Sequence, residues 1–256
     1  MARMRGFVLL FVIGVFAVAL VLTPANEAKT QGRWSWPDSA ENLKELPEDF
    51  NGQQLRAVMM GFVGALGVRC SYCHVGEDGQ PLSTFDFPSD DNPKKDISRE
   101  MLRLLGSVND HLDEIREDND EAVNMWCHTC HRGLAIPRTL GEELALVYDK
   151  AGIDSAITKY HELRGEYYGK GSYDFGEGSL VDVGFEWLEE DQDAAIALLL
   201  LNVDQYPESI WANGALANAY QTIGKNDLAI KYYEKALALD PENPRIKAML
   251  ERLQSE

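Results

Sequence analysis

Two short stretches hold all four cysteines of the chain: Cys70-Ser71-Tyr72-Cys73-His74 and Cys127-His128-Thr129-Cys130-His131. Each is a Cys-x-x-Cys pair with a histidine directly behind it. A zinc site built from the four thiolates would leave both histidines accidental. With five histidines in 256 residues, one falls behind a given cysteine by chance about once in fifty, and behind both far more rarely. A thioredoxin-type redox pair also ignores the histidine, and no βαβ pattern surrounds either stretch. A disulfide closing so short a loop removes little chain entropy. Haem attachment uses every residue. The two thiols form thioether bonds to the porphyrin, and the next residue places its imidazole under the ring, on the iron. The sequence therefore predicts two covalent c-type haems. Cys70 and Cys73 hold one, with His74 as proximal ligand; Cys127 and Cys130 hold the other, with His131. His128 reads as a spacer.

The opposite axial ligand decides between electron transfer and catalysis. A thioether closes the iron and raises its potential. Met59 lies eleven residues before Cys70 on an apolar helix face, while Met60 is off that stripe. Met59 is therefore expected to be the first distal ligand, against the plainer reading of a core methionine. Met101, Met125 and His111 compete for the second iron. Met125 is two residues from Cys127, too near to reach over the ring. Met101 sits on an apolar stripe and is favoured, with His111 as the alternative.

These residues need helices to hold them. Leu55, Val58, Met59, Phe62, Val63 and Leu66 recur at steps of three and four, predicting a helix over 52–66 that stops at Gly67. Asn92 and Pro93 read as the cap and first residue of a second helix. Its stripe runs through Ile97, Met101, Leu104 or Leu105, Val108, Leu112 and Ile115. From about Gly152 the texture is helical throughout and contains no cysteine. Ala195 and Ala229 are 34 residues apart, as are Pro207 and Pro241, which is the tetratricopeptide period. Residues 178–208 form a degenerate copy, and "NPRIKAMLERLQSE" reads as a capping helix. Two repeats are few for independent stability, so this array is expected to lean on the preceding helices.

The net charge is −18, which argues against nucleic acid as a partner, because phosphate binding needs clustered Lys and Arg. The first residues run against this balance. Arg3 and Arg5 precede the apolar run Gly6 to Leu22, and small residues follow at Ala25 and Ala28. That pattern predicts an export signal or an uncleaved membrane anchor, with the rest of the chain outside the cytoplasm.

The stretches "MMGFVGALGVRCSYCHV", "FPSDDNPKKDISREMLRL" and "CHTCHRG" resemble the photosynthetic reaction-centre cytochrome c subunit family. The resemblance covers about Leu46 to Leu140. It implies a Met-bearing helix before each motif, hence Met59 with His74 and Met101 with His131. The best-known members carry four haems; this chain has two motifs and resembles one half of such a subunit. The resemblance does not by itself imply a photosynthetic role.

The expectation is an all-α chain in three parts. Residues 1–30 form a leader or anchor, 34–145 a dihaem cytochrome c domain of short helices, and 152–256 a tetratricopeptide array of two repeats plus a cap. It would carry electrons between redox partner proteins in the periplasm or another extracytoplasmic space, with the array docking a protein partner. A dihaem peroxidase is the enzymatic rival, with His111, Glu114 and Arg116 as its acid–base groups. A module whose haems are purely structural is the third reading.

Overall fold

A computed structural model of the chain describes residues 34–117 and 121–255. The predicted leader, including residues 6–22, lies outside them. Among the described residues no helix is long and apolar enough to cross a membrane. The chain divides into two compact units, Met1–Ser35 and Trp36–Glu256. The described part of the second unit is built of helices and loops; an isolated antiparallel bridge joins Val75 to Asp86.

Helix α1, Gly52–Leu66, begins at a reciprocal cap. Asn51 accepts from the amides of Gln53 and Gln54, and Gln54 accepts from the Asn51 amide. It ends at Gly67, whose φ of +65° suits a residue without a Cβ. Helix α2, Pro93–Ile115, starts on the Asn92 cap with proline in its first turn. Its start follows from those residues, but its packing is unusual. Ile97, Met101, Leu104, Val108 and Ile115 on its stripe are exposed, and α2 makes no extensive contact with another described helix. The short helix α3, Cys127–His131, packs on α1.

The remaining helices are α4 Leu140–Ala151, α5 Ile153–Tyr167, α6 Ser179–Trp187, α7 Gln192–Gln205, α8 Ile210–Thr222, α9 Asn226–Leu239 and α10 Pro244–Ser255. They pack in sequential pairs, α4 on α5, α6 on α7 and α8 on α9, with α10 covering α9. The residues at the 34-residue spacing, Ala195 and Ala229, are fully buried, as are Ala217 and Ala236. A Cβ on Gly184 would stand 2.7 Å from Leu199, so these small residues set how closely paired helices approach. The array leans on α4 and α5, which contact α6 and α7. One core runs from Leu134, Leu140 and Leu144 to Leu250 and Leu253. Leu134, in the loop after the second Cys-x-x-Cys-His motif, therefore packs with the tail.

Candidate functional site

The first motif opens as a single 3-10 turn at Cys70–Tyr72. The amides of Cys73 and His74 both donate to the Cys70 carbonyl, at 3.3 and 2.9 Å. The turn holds both thiols and the imidazole on one tight loop. His74 Nδ1 lies 3.2 Å from the Phe87 carbonyl oxygen. A carbonyl only accepts, so Nδ1 carries the proton and Nε2 presents its lone pair. The bridge between Val75 and Asp86, with the Asp86 amide 2.9 Å from the Val75 carbonyl, places Phe87 there. The Phe87 ring also meets the imidazole edge-on, 5.0 Å between centroids. Burial pulls the His74 pKa below its ordinary value; the Lys95 charge adds to this, and the Phe87 carbonyl opposes it. A neutral imidazole is the ligating form.

The second motif folds differently and reaches the same arrangement. Cys127, Cys130 and His131 all lie on α3, whose first turn is secured by the Trp126 amide donating to Thr129 Oγ1 at 3.0 Å. Arg132, at φ +47°, and Gly133, at φ +86°, turn the chain back. The buried His131 then sets Nδ1 2.9 Å from the Leu134 carbonyl, again leaving Nε2 free. Burial raises the Cys127 thiol pKa.

The two motifs are joined through backbone. The Gly133 amide donates to the Ala65 carbonyl at 2.9 Å. A Cβ on Gly67 would collide with the Gly133 carbonyl, so both the φ angle and this close approach require glycine. The end of α1 is thus pinned against the loop after His131.

Helix α2 ties to both motifs. The Asn92 side chain caps Lys94 and donates to the Tyr72 carbonyl at 3.1 Å. Ser98 Oγ is 3.5 Å from Cys73 Sγ. Two turns past Met101, Asn109 clamps Met125, accepting from its amide at 2.7 Å and donating to its carbonyl at 3.1 Å. Met101 lies between these attachments and is exposed, while Met59 on α1 is half-buried and Met60 more exposed. His111 is 71% exposed and pairs with Glu114 at 3.5 Å, and Arg116 pairs with Asp113. The proposed acid–base groups of a peroxidase thus sit beside neighbouring carboxylates on a solvated face.

All four thiols are free. Among the described residues no three His, Cys, Asp or Glu side chains converge as a metal site, so the thiols do not gather into one four-thiolate zinc centre. They stand as two pairs, each followed by an imidazole with its Nδ1 tied back. This donor set fits two covalently held haems, with Cys70, Cys73 and His74 for one and Cys127, Cys130 and His131 for the other. Lys95, Phe87, Leu134 and Ser172 carried no sequence signal for this site. Two of them act through carbonyls, which no side-chain pattern reveals.

The fold and site define an all-helical chain that joins a cytochrome-type segment to a tetratricopeptide array. Residues 69–151 match the family model of the photosynthetic reaction centre cytochrome C subunit, and residues 211–243 match the tetratricopeptide repeat. The first match ends where α4 ends and begins after Met59. Cytochrome c-554 of Chloroflexus aurantiacus is 37% identical over 124 residues, covering 43% of this chain. The matched part spans 28% of that relative's length. Two solved structures show a weak likeness to this chain. The first TPR of Spaghetti (RPAP3), bound to an HSP90 peptide, has 19% identity and a TM-score of 0.31, covering 45% of this chain and 88% of that one. MamA AMB-1 has 15% identity and a TM-score of 0.30, covering 63% and 78%. The tetratricopeptide assignment comes from residues 211–243 and the sequential pairing of α6 to α9.

Proposed function

We propose that the chain is an exported dihaem c-type cytochrome that carries electrons between redox partner proteins rather than catalysing a reaction on a substrate. The observation that supports this best is the pairing of each motif imidazole, through Nδ1, with a backbone carbonyl. That bond fixes the tautomer and ring orientation of a metal-bound histidine. The family match over 69–151 points the same way.

In this reading Cys70, Cys73, Cys127 and Cys130 form the thioethers, and His74 and His131 are the proximal ligands. Met59 and Met101 are the distal ligands. Bound haem supplies a one-electron iron couple, and the protein supplies burial, axial donors and spacing. The apolar stripe of α2 supplies surface for a large flat hydrophobic group. Residues 34–145 serve the haems, residues 152–256 dock a protein partner, and residues 1–30 direct export and can anchor the protein to a membrane. The protein works in the periplasm or another extracytoplasmic space.

The test is intact-mass analysis and haem quantitation on full-length protein matured in an exporting host. Two haems per chain are expected, one after Cys127→Ser. No added haem mass, or zinc in its place, would end this reading.

A further inference from the structure

The two proximal histidines are held alike but not equally. Phe87 offers its carbonyl to His74 Nδ1 at 3.2 Å, and the same oxygen accepts from Lys95 Nζ at 2.8 Å. The Leu134 carbonyl accepts from His131 at the shorter distance of 2.9 Å, and among the described residues no cation shares it. From the juxtaposition of Lys95 with the carbonyl that orients His74, we infer that Lys95 is a positioning residue that raises the potential of the first-motif haem above that of the second.

Two effects act in the same direction. A strong bond from Nδ1–H to an acceptor gives the imidazole more anionic character and favours ferric iron. An ammonium on the same oxygen draws on its lone pairs and weakens that bond. The positive charge itself also favours the added electron, and partial burial keeps it from being fully screened. Lys95 is well placed for this. Its side chain is 12% exposed and its ammonium also binds the carbonyls of Pro88 and Ser89, at 2.9 and 2.8 Å. The nearby charges balance in number, with Lys44, Lys95 and Arg99 facing Asp86, Asp90 and the Asp96 that binds Arg99, so Lys95 acts chiefly through its direct contact with the Phe87 carbonyl. Asp90, 3.4 Å away, is shared with Lys44 and Arg99 at 2.7 Å each. Asp86 lies farther off, with Arg99 as a further cation. The expected order is that the first-motif haem is reduced first, and electrons move from the second motif toward it.

This rests on the two-haem reading, and haem content separates the two. The experiment is a redox titration of wild type, Lys95→Met, Lys95→Arg and Lys44→Met, each first shown to carry two haems, with the haems told apart by NMR. Lys95→Met should lower only the first-motif midpoint, by about tenfold in the reduction equilibrium, about 59 mV for one electron. Lys95→Arg should restore most of it, and Lys44→Met should leave it near wild type. The His74 ring N–H resonance should move in Lys95→Met, while that of His131 stays. An unchanged first midpoint in a two-haem Lys95→Met protein would overturn the inference. Should Lys95→Met fail to load haem, the wild-type order decides: a first-motif haem of lower potential than the second would overturn it equally.

Discussion

The Ser172 hydroxyl donates to the Arg132 carbonyl at 2.7 Å, across forty residues of chain. Arg132 directly follows His131 and stands at a positive φ, and Ser172 is almost fully buried. The loop after α5 therefore fastens the turn that brings Leu134 back to the second imidazole. Ser172→Ala leaves that carbonyl without its donor, and a loss of about 1–3 kcal/mol in unfolding free energy is expected. Chemical denaturation of the full chain measures it, and a midpoint within error of wild type would show that water satisfies Arg132.

Gly67 and Gly64, three residues apart, should respond oppositely to alanine. Gly67 needs a left-handed backbone and would drive a Cβ into the Gly133 carbonyl. Gly67→Ala should cost at least about 1–3 kcal/mol. Gly64 lies in α1 with nothing within 4 Å of its would-be Cβ, so Gly64→Ala should gain about 0.5–1 kcal/mol of stability. Thermal unfolding compares them; equal effects would refute the close approach of the two loops.

Asp90 gathers Lys44, Arg99, Lys95 and Asn42 around one carboxylate. The Arg99 guanidinium first, then Lys44, hold its pKa well below the usual carboxylate range. A folded-state pKa below the unfolded one gives stability that is present above the unfolded value, near 3.8, and lost as pH falls toward the folded one. Asp90→Asn should flatten the acid limb of the stability profile below about pH 4 and lower stability near neutrality. A profile parallel to wild type throughout would contradict the linkage.

Met101→Leu keeps the volume and apolar character of the side chain and removes only the thioether. One haem should lose its methionine-ligand signature and fall in potential, and Met59→Leu should do the same to the other. Visible and near-infrared spectra with redox titration read this directly. If His111→Ala moved the spectrum and Met101→Leu did not, the distal assignment would pass to His111.

Leu144 is fully buried where α4 meets the tail core. Leu144→Ala should cost about 2–5 kcal/mol. Because Leu134 shares that core, the haem-region and far-ultraviolet signals should melt together. Separate transitions would mean that the tail folds without the motif region.

The helices that carry the motifs were legible because their signals are local. Gly67 marked the end of α1, Asn92 and Pro93 marked the start of α2, and the alanine and proline periods marked the array; the Asn51 cap emerged only in the fold. The extent of the tail core was less legible. Nothing in "GLAIPRTL" says that Leu134 and Leu140 join the core of the tail, because an apolar residue specifies burial and not its partner. Nor could spacing reveal that α2 would stand apart from other helices with its stripe exposed. The carbonyls of Phe87 and Leu134 belong to every sequence equally, so only the folded path shows which of them meets a histidine.

The continuity of the core from Leu134 to Leu253 makes the C-terminal array more than a detachable handle. A knife placed at residue 152 would strip α4 from its seat and leave a torn hydrophobic edge on both fragments. Leu134 belongs to that core by its side chain and meets the His131 imidazole by its carbonyl. Strain placed on the array is therefore borne in part by the turn that follows the second motif.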